Sequence, residues 1–314
     1  MKMPLVTIGV ASFNNAPYLE ETLESIRLQT YPCIELLIVD DCSRDGSVKV
    51  AKSWLAAHPE VNGRIICHDI NMGVCRVCND IVTQSQGDFI SIIGSDDIFM
   101  HNKLTQQVPI LLDSPPNIGV VFGDIVRIDA SGKPIATPSG MSSIHSGNIF
   151  FRLLEDNFVP AMGTLVRRTC YERVGLFDET LSYEDWDMWL RIAREFEFLY
   201  VPHVVARYRV HNSSASFSRR VQMVESSLKV VQKHKGYNSD VDRLVATHTL
   251  KLAKALYLLD GPQAHQWLLK SVNSTPDAES ISFLVLVTLG IPACQVRRFK
   301  DWVRTGFGLK GKLS

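Results

Sequence analysis

Through the first hundred positions, unbroken apolar runs alternate with segments whose apolar residues recur every three or four positions. Leu5–Ala11 (LVTIGVA) is continuous and rich in β-branched residues, the pattern of a strand covered on both faces. Pro17 then opens a segment in which Leu19, Leu23 and Ile26 share one helical face. IELLIVDD predicts a second strand, followed by a Ser/Asp/Gly turn and a helix carrying Val50, Ala51, Trp54 and Leu55. RIICH predicts a third strand, GVCRVCNDIVTQ a third helix and DFISII a fourth strand. Such a βαβαβαβ series implies a parallel sheet with helices on both faces.

Beyond about residue 115 the rhythm changes. IGVVFGDIVRI predicts a strand running into the turn DASGKPI, and shorter elements follow as far as VVARYRVH, Val204–His211. From Phe217 the spacing is helical, with helices expected near 217–235, 240–259 and 262–272. The expected organisation is an α/β domain over residues 1–216 and a helical extension over 217–314 with a basic tail.

Composition narrows the class. The 314 residues are 46% hydrophobic and 21% charged, so a sizeable core can form. Lys+Arg and Asp+Glu are 33 each, which argues against a nucleic-acid binder working through overall charge. Cys75 and Cys78 form a CxxC on a helical pattern without a second pair, so free thiols in a reducing cytoplasm are expected. The apolar start reads as a strand rather than a signal peptide. The run Ile281–Cys294 is too short for a bilayer core of roughly 30 Å. With Arg297, Arg298, Lys300 and Arg304 beyond it, this end reads either as a packed helix with a solvated tail or as an interfacial contact with anionic lipid.

Ligands of parallel α/β sheets sit beyond the carboxyl ends of the strands. There the chain carries ASFNN (residues 11–15), Asp40-Asp41 and Asp96-Asp97. One acidic pair at a strand end is ordinarily a turn or a cap, but two in one sheet suggest a cation site. No P-loop and no Gly-rich dinucleotide fingerprint is present. A diphosphate neutralised by Mn²⁺ or Mg²⁺ suits the carboxylates better. Glu184 and Asp185 open the helical pattern around Trp186 and Trp189. They read either as complements of the helix dipole or as an ionised general base. His211 follows a strand and is a possible third metal ligand.

The segments VTIGVASFNNAPYLEETLESIRLQTYPCIELLIVDDCSRDGS, NMGVCRVCND, GDFISIIGSDD, VGLFDETLSYEDWDMWLRIA and YRVHNSSAS, in this order over residues 4–216, resemble glycosyltransferase family 2. The resemblance implies a GT-A (Rossmann-like) fold: a mixed, mainly parallel sheet flanked by helices. It also implies inverting, divalent-metal-dependent transfer from a nucleotide-sugar, with a UDP-sugar favoured, to a glycan or lipid-linked hydroxyl. It places Ala11 and Phe13 at the donor nucleotide, with Phe13 stacking on the base. Asp41 meets the imino N–H of a uracil-type ring, and Arg76 reaches base or phosphate. Asp96 matches the main metal ligand, with Asp97 beside it and His211 as a metal or diphosphate contact. Asp185 matches the catalytic base, with Glu184 next to it. Gly94 stands where the family segment often has Asp, which leaves open a second class: an inactive nucleotide-sugar-binding or scaffold protein on the same fold. The implied location is cytoplasmic, at the inner face of the cell membrane if the tail binds lipid.

Overall fold

The computed structural model describes residues 3–135, 146–211, 219–274 and 278–296. The basic tail and the NSSAS segment of the sequence analysis lie outside them. The chain divides into two compact units, Met1–Ser214 and Ala215–Ser314.

The first unit begins with the expected alternation: β1 (Val6–Ser12), α1 (Ala16–Arg27), β2 (Ile34–Asp40), α2 (Ser47–Ala57), β3 (Gly63–Cys67), α3 (Val74–Gln84) and β4 (Phe89–Gly94). β1 lies between β2 and β4, and all three are parallel, as are β2 and β3. Val6, Ile8, Leu36, Ile38 and Ile93 are buried at the core, which is why these strands read as apolar runs. A Cβ on Gly9 would lie 2.2 Å from Ile81 Cγ2. The glycine lets α3 pack directly on β1.

The remainder of the sheet is mixed. After β5 (Ile98–Phe99) and α4 (Lys103–Asp113) come β6 (Ile118–Ile128), α5 (Phe150–Glu155), β7 (Thr164–Arg167), α6 (Arg168–Val174), α7 (Asp185–Ala193) and β8 (Glu197–Arg209). The strand order is β3-β2-β1-β4-β7-β6-β8-β5. β7 is antiparallel to both β4 and β6, while β6 and β8 are parallel with register breaks around Asp124. The strand expected from Val204 thus begins earlier, at Glu197, and its far end pairs with β5, Ile98 opposite Arg207. Bulges re-aim strand ends, and this one brings Arg209 beside the Asp96-Asp97 loop.

The second unit comprises α8 (Arg220–Gln232), α9 (Ser239–Leu258), α10 (Ala264–Ser274) and α11 (Ala278–Thr288). Leu228, Leu250, Leu256, Leu268 and Phe283 form its own apolar cluster. Asn238 caps α9 by accepting from the Asp240 and Val241 N–H groups. No helix among the described residues is long and apolar enough to cross a membrane.

Candidate active site

The carboxyl ends of β1, β2 and β4 meet at one edge of the sheet. Ala11 is paired with Gly94 across β1 and β4, and its carbonyl accepts the Ser95 N–H at 3.0 Å. Asp96 and Asp97 then point in different directions. Asp97 is buried, and its Oδ1 accepts the Arg209 backbone N–H at 2.8 Å. Burial, reinforced by the charge of Asp96, raises its pKa well above the usual carboxylate range. Asp96 stays partly open, and His211 Nε2 lies 2.9 Å from its Oδ2. A Cβ at position 94 would stand 2.9 Å from Asp96 Oδ1, so the glycine leaves room for that carboxylate over the strand end.

Arg209 holds this loop together. It is buried, donates from Nε to the Asp96 carbonyl at 2.8 Å and pairs through Nη2 with Glu21 at 2.6 Å. Its guanidinium lies over the Tyr18 ring, whose other neighbour is the His211 ring, 5.0 Å away. A buried guanidinium needs several acceptors, and the Asp129 and Ala130 carbonyls supply two more. Nothing in the alternating pattern of YRV distinguishes this arginine, and the sequence analysis missed it.

Among the described residues, no group of three or more His, Cys, Asp or Glu side chains is placed to hold a metal. Asp96 and His211 are a set of two. Hard divalent ions commonly take one or two carboxylates and complete their shell with substrate phosphate and water. The donor set therefore fits an ion that arrives with a diphosphate, and the imidazole favours Mn²⁺. Asp97, expected beside Asp96 as a ligand, is instead turned inward as an acceptor for β8.

A surface cavity of about 310 Å³ opens beside β1, lined by Phe13, Asn14, Cys42, Arg44 and the 69–71 segment. Phe13 is 36% exposed, available for stacking. Asn14 (φ 53°) and Cys42 (φ 63°) are both left-handed, a conformation that non-glycine residues keep where surrounding structure imposes it. Asn14 is held by its N–H to Ser43 Oγ and by its Oδ1 to the Arg44 N–H. Asp41 is buried. Its carboxylate already accepts the Met72 and Gly73 N–H groups at 2.7 and 2.8 Å, and His68 Nδ1 lies 2.8 Å from Oδ1. Most of its capacity thus goes into shaping the 68–73 loop. Arg76, on the first turn of α3, is 43% exposed and paired with Asp80.

The third component is the start of α7. Glu184 takes the capping position and Asp185 the first turn, as the spacing predicts. Asp185 Oδ1 accepts the Trp186 N–H at 2.6 Å. Ile92, Phe177 and Trp189 flank the two carboxyls. Burial first, then the charge of Asp185, pushes Glu184 up to about 7. Burial also raises Asp185, against an opposing hydrogen bond from Asn157. The preceding loop is anchored on α3, where Asn79 donates to the Phe177 carbonyl and accepts its N–H. Cys75 and Cys78 lie buried on that helix as free thiols.

The family model for glycosyl transferase family 2 matches residues 7–175, more than half of the chain. The chain belongs to that family. Among its relatives, the putative teichuronic acid biosynthesis glycosyltransferase TuaG of Bacillus subtilis is 28% identical over 69% of this chain and 83% of its own length. An uncharacterised glycosyltransferase of Rickettsia typhi is 26% identical, over 71% and 69% respectively. Some relatives are longer; the chain covers 35% of one from Rickettsia felis. Two solved structures share the fold. S. aureus TarS 1-349 in complex with UDP has a TM-score of 0.64 at 16% identity, covering 96% of this chain and 92% of that one. The mannosyltransferase PcManGT from Pyrobaculum calidifontis, in complex with GDP-Man and Mn²⁺, has a TM-score of 0.61 at 18% identity, over 92% and 80%.

In this glycosyltransferase one acidic pair follows β4 of the GT-A sheet and the other opens helix α7. Ile92 of β4 lines the same small cavity as the Glu184 and Asp185 side chains.

Proposed function

We propose that the chain transfers a sugar, with inversion, from a nucleoside-diphosphate sugar to a hydroxyl of a glycan or lipid-linked acceptor in surface polysaccharide synthesis. UDP is the favoured nucleotide and Mn²⁺ or Mg²⁺ the metal. The observation that carries this reading is that β4, the strand that runs out to Asp96-Asp97, places Ile92 in the same small cavity as Glu184 and Asp185 at the start of α7, so a separate element brings its acidic pair to that strand. The TuaG and TarS likenesses support a polysaccharide acceptor and a UDP-linked donor, and PcManGT supports a divalent ion.

In the mechanism, Phe13 stacks on the base and the 69–71 wall closes one side of its pocket. Asp96 and His211 would hold the divalent ion, which when bound supplies Lewis-acid stabilisation of charge on the departing diphosphate. Asp185 accepts the proton of the attacking hydroxyl. A carboxylate is too weak a base to ionise an alcohol beforehand, so the proton moves late, once the attacking oxygen has bonded to the anomeric carbon. The sugar passes through an oxocarbenium-like state, and attack opposite the leaving group inverts the centre.

Asp185→Asn tests the assignment. It is expected to lower kcat by at least about 10²-fold while donor binding in calorimetry is unchanged; near-normal kcat would remove Asp185 as the base. A peripheral membrane role for the C-terminal end is part of the proposal. Ile281, Val285 and Leu289, spaced four apart, are 45%, 48% and 69% exposed, and the sequence that follows is basic.

A further inference from the structure

The ring of His68 stands between two carboxylates. Nδ1 is 2.8 Å from Asp41 Oδ1, and Nε2 is 2.8 Å from Asp80 Oδ2. Both partners are acceptors. A neutral imidazole has one N–H and would leave a lone pair facing a carboxylate oxygen; only the imidazolium donates to both. The side chain is 11% exposed, so water does not replace either contact.

These contacts converge on one loop. Asp41 clamps residues 68–73 at both ends, through the His68 ring on one side and the Met72 and Gly73 N–H groups on the other. The His68 N–H is held by the Asp40 carbonyl at 2.9 Å. Between the clamped ends lie Asp69, Ile70 and Asn71, which line the cavity facing Phe13. On its far side His68 is tied to α3 through Asp80, which also binds Arg76. Arg76 in turn faces Glu179 at 3.8 Å.

We infer that His68, held as an imidazolium between Asp41 and Asp80, is a positioning residue for the donor nucleotide, fixing the 68–73 wall of the base pocket. This rests on the nucleotide-sugar reading above. Loss of the ring proton leaves one of the two carboxylate contacts without its hydrogen bond and loosens that end of the loop, so nucleotide affinity falls as pH rises through the titration of His68. The charged groups around it agree: Asp41 from the end of β2 and Asp80 from α3 favour the charged ring. Burial opposes it, and the balance raises its pKa. Arg76 acts on it only from behind Asp80.

The test is calorimetric titration of the full chain with UDP at fixed Mn²⁺ from pH 6 to 9, comparing wild type with His68→Gln and Asp80→Asn. Taking differences from wild type cancels the titration of the nucleotide and of groups outside this cluster. His68→Gln is expected to weaken UDP about tenfold at pH 6, equivalent to about 1.4 kcal/mol. It should lose the wild-type decline in affinity at higher pH while keeping kcat at saturating donor within about twofold. Asp80→Asn removes one of the two carboxylate charges that favour the imidazolium and is expected to move the midpoint of that decline to lower pH by about one unit. Wild-type affinity and pH profile in both variants would overturn the inference alone. Failure of wild type to bind UDP, GDP or dTDP would overturn the nucleotide-sugar reading, and this inference with it.

Discussion

Glu184 and Asp185 adjoin at the start of one helix, and two carboxyls sharing a site titrate as a pair. Glu184 is pushed up to about 7, so kcat/KM is expected to fall as pH drops through that region and the pair takes up a proton. Glu184→Gln removes one like charge, which eases ionisation of Asp185. Its pH–rate profile should therefore have its acid limb at lower pH than wild type. Arg209 makes a different kind of contribution. Arg209→Met strips donors from the Asp96, Asp129 and Ala130 carbonyls and leaves Glu21 without its partner. Buried acceptors left unmatched cost about 1–3 kcal/mol each where water cannot reach them. The expected result in urea unfolding is a loss of about 2–4 kcal/mol, accompanied by weaker Mn²⁺-dependent UDP binding because the Asp96 loop loses its anchor. Both effects come from side chains whose partners are remote in sequence, which is why the local pattern was silent about Arg209 while plainly marking Glu184-Asp185 as a helix start.

At the scale of elements, α4 carries a lysine in the core. Lys103 is fully buried, donating to Gln107 Oε1 at 2.5 Å and to the Thr164 carbonyl at 2.9 Å, with the Phe99 ring beneath it. It thereby ties α4 to the first residue of β7. Burial holds its pKa well below 10.5. Above 10.5 the folded and unfolded chains both carry a neutral amine, and the group imposes no charge penalty. As pH falls, the unfolded chain gains a proton that the folded chain does not, so stability is lost down to the folded pKa. Wild type should therefore gain stability relative to Lys103→Met between pH 7 and 10 in paired thermal scans. A pH-independent difference would show that the amine stays charged inside. The helical spacing of α4 was readable. That its lysine points inward was not, because burial depends on β7, an antiparallel strand inserted between β4 and β6.

At the scale of the whole molecule, the candidate site residues all lie between Ala11 and His211, within the unit that ends at Ser214. Each unit has its own apolar cluster, the usual sign of separate folding. A fragment ending at Ser214 is expected to bind UDP with Mn²⁺ as the full chain does. In flotation with anionic vesicles, the full chain should rise and the fragment should stay in the dense layer. Flotation of both would dissociate lipid contact from the C-terminal end.

The sequence alone determined the repeating strand–helix series, the two acidic strand ends, the helix opening at Glu184-Asp185 and the family. These depend on spacing along the chain, and hydrophobic burial enforces spacing locally. Tertiary structure decided what each polar side chain faces. Asp96 and Asp97 are neighbours in sequence, yet one meets His211, 115 positions away, and the other meets the backbone of Arg209, 112 away. His68, read only as the end of a strand, became the bridge between Asp41 and Asp80. Such partners are set by the sheet order and by the bulges of β8. Those follow from how remote strands close around one core, and no local period encodes them.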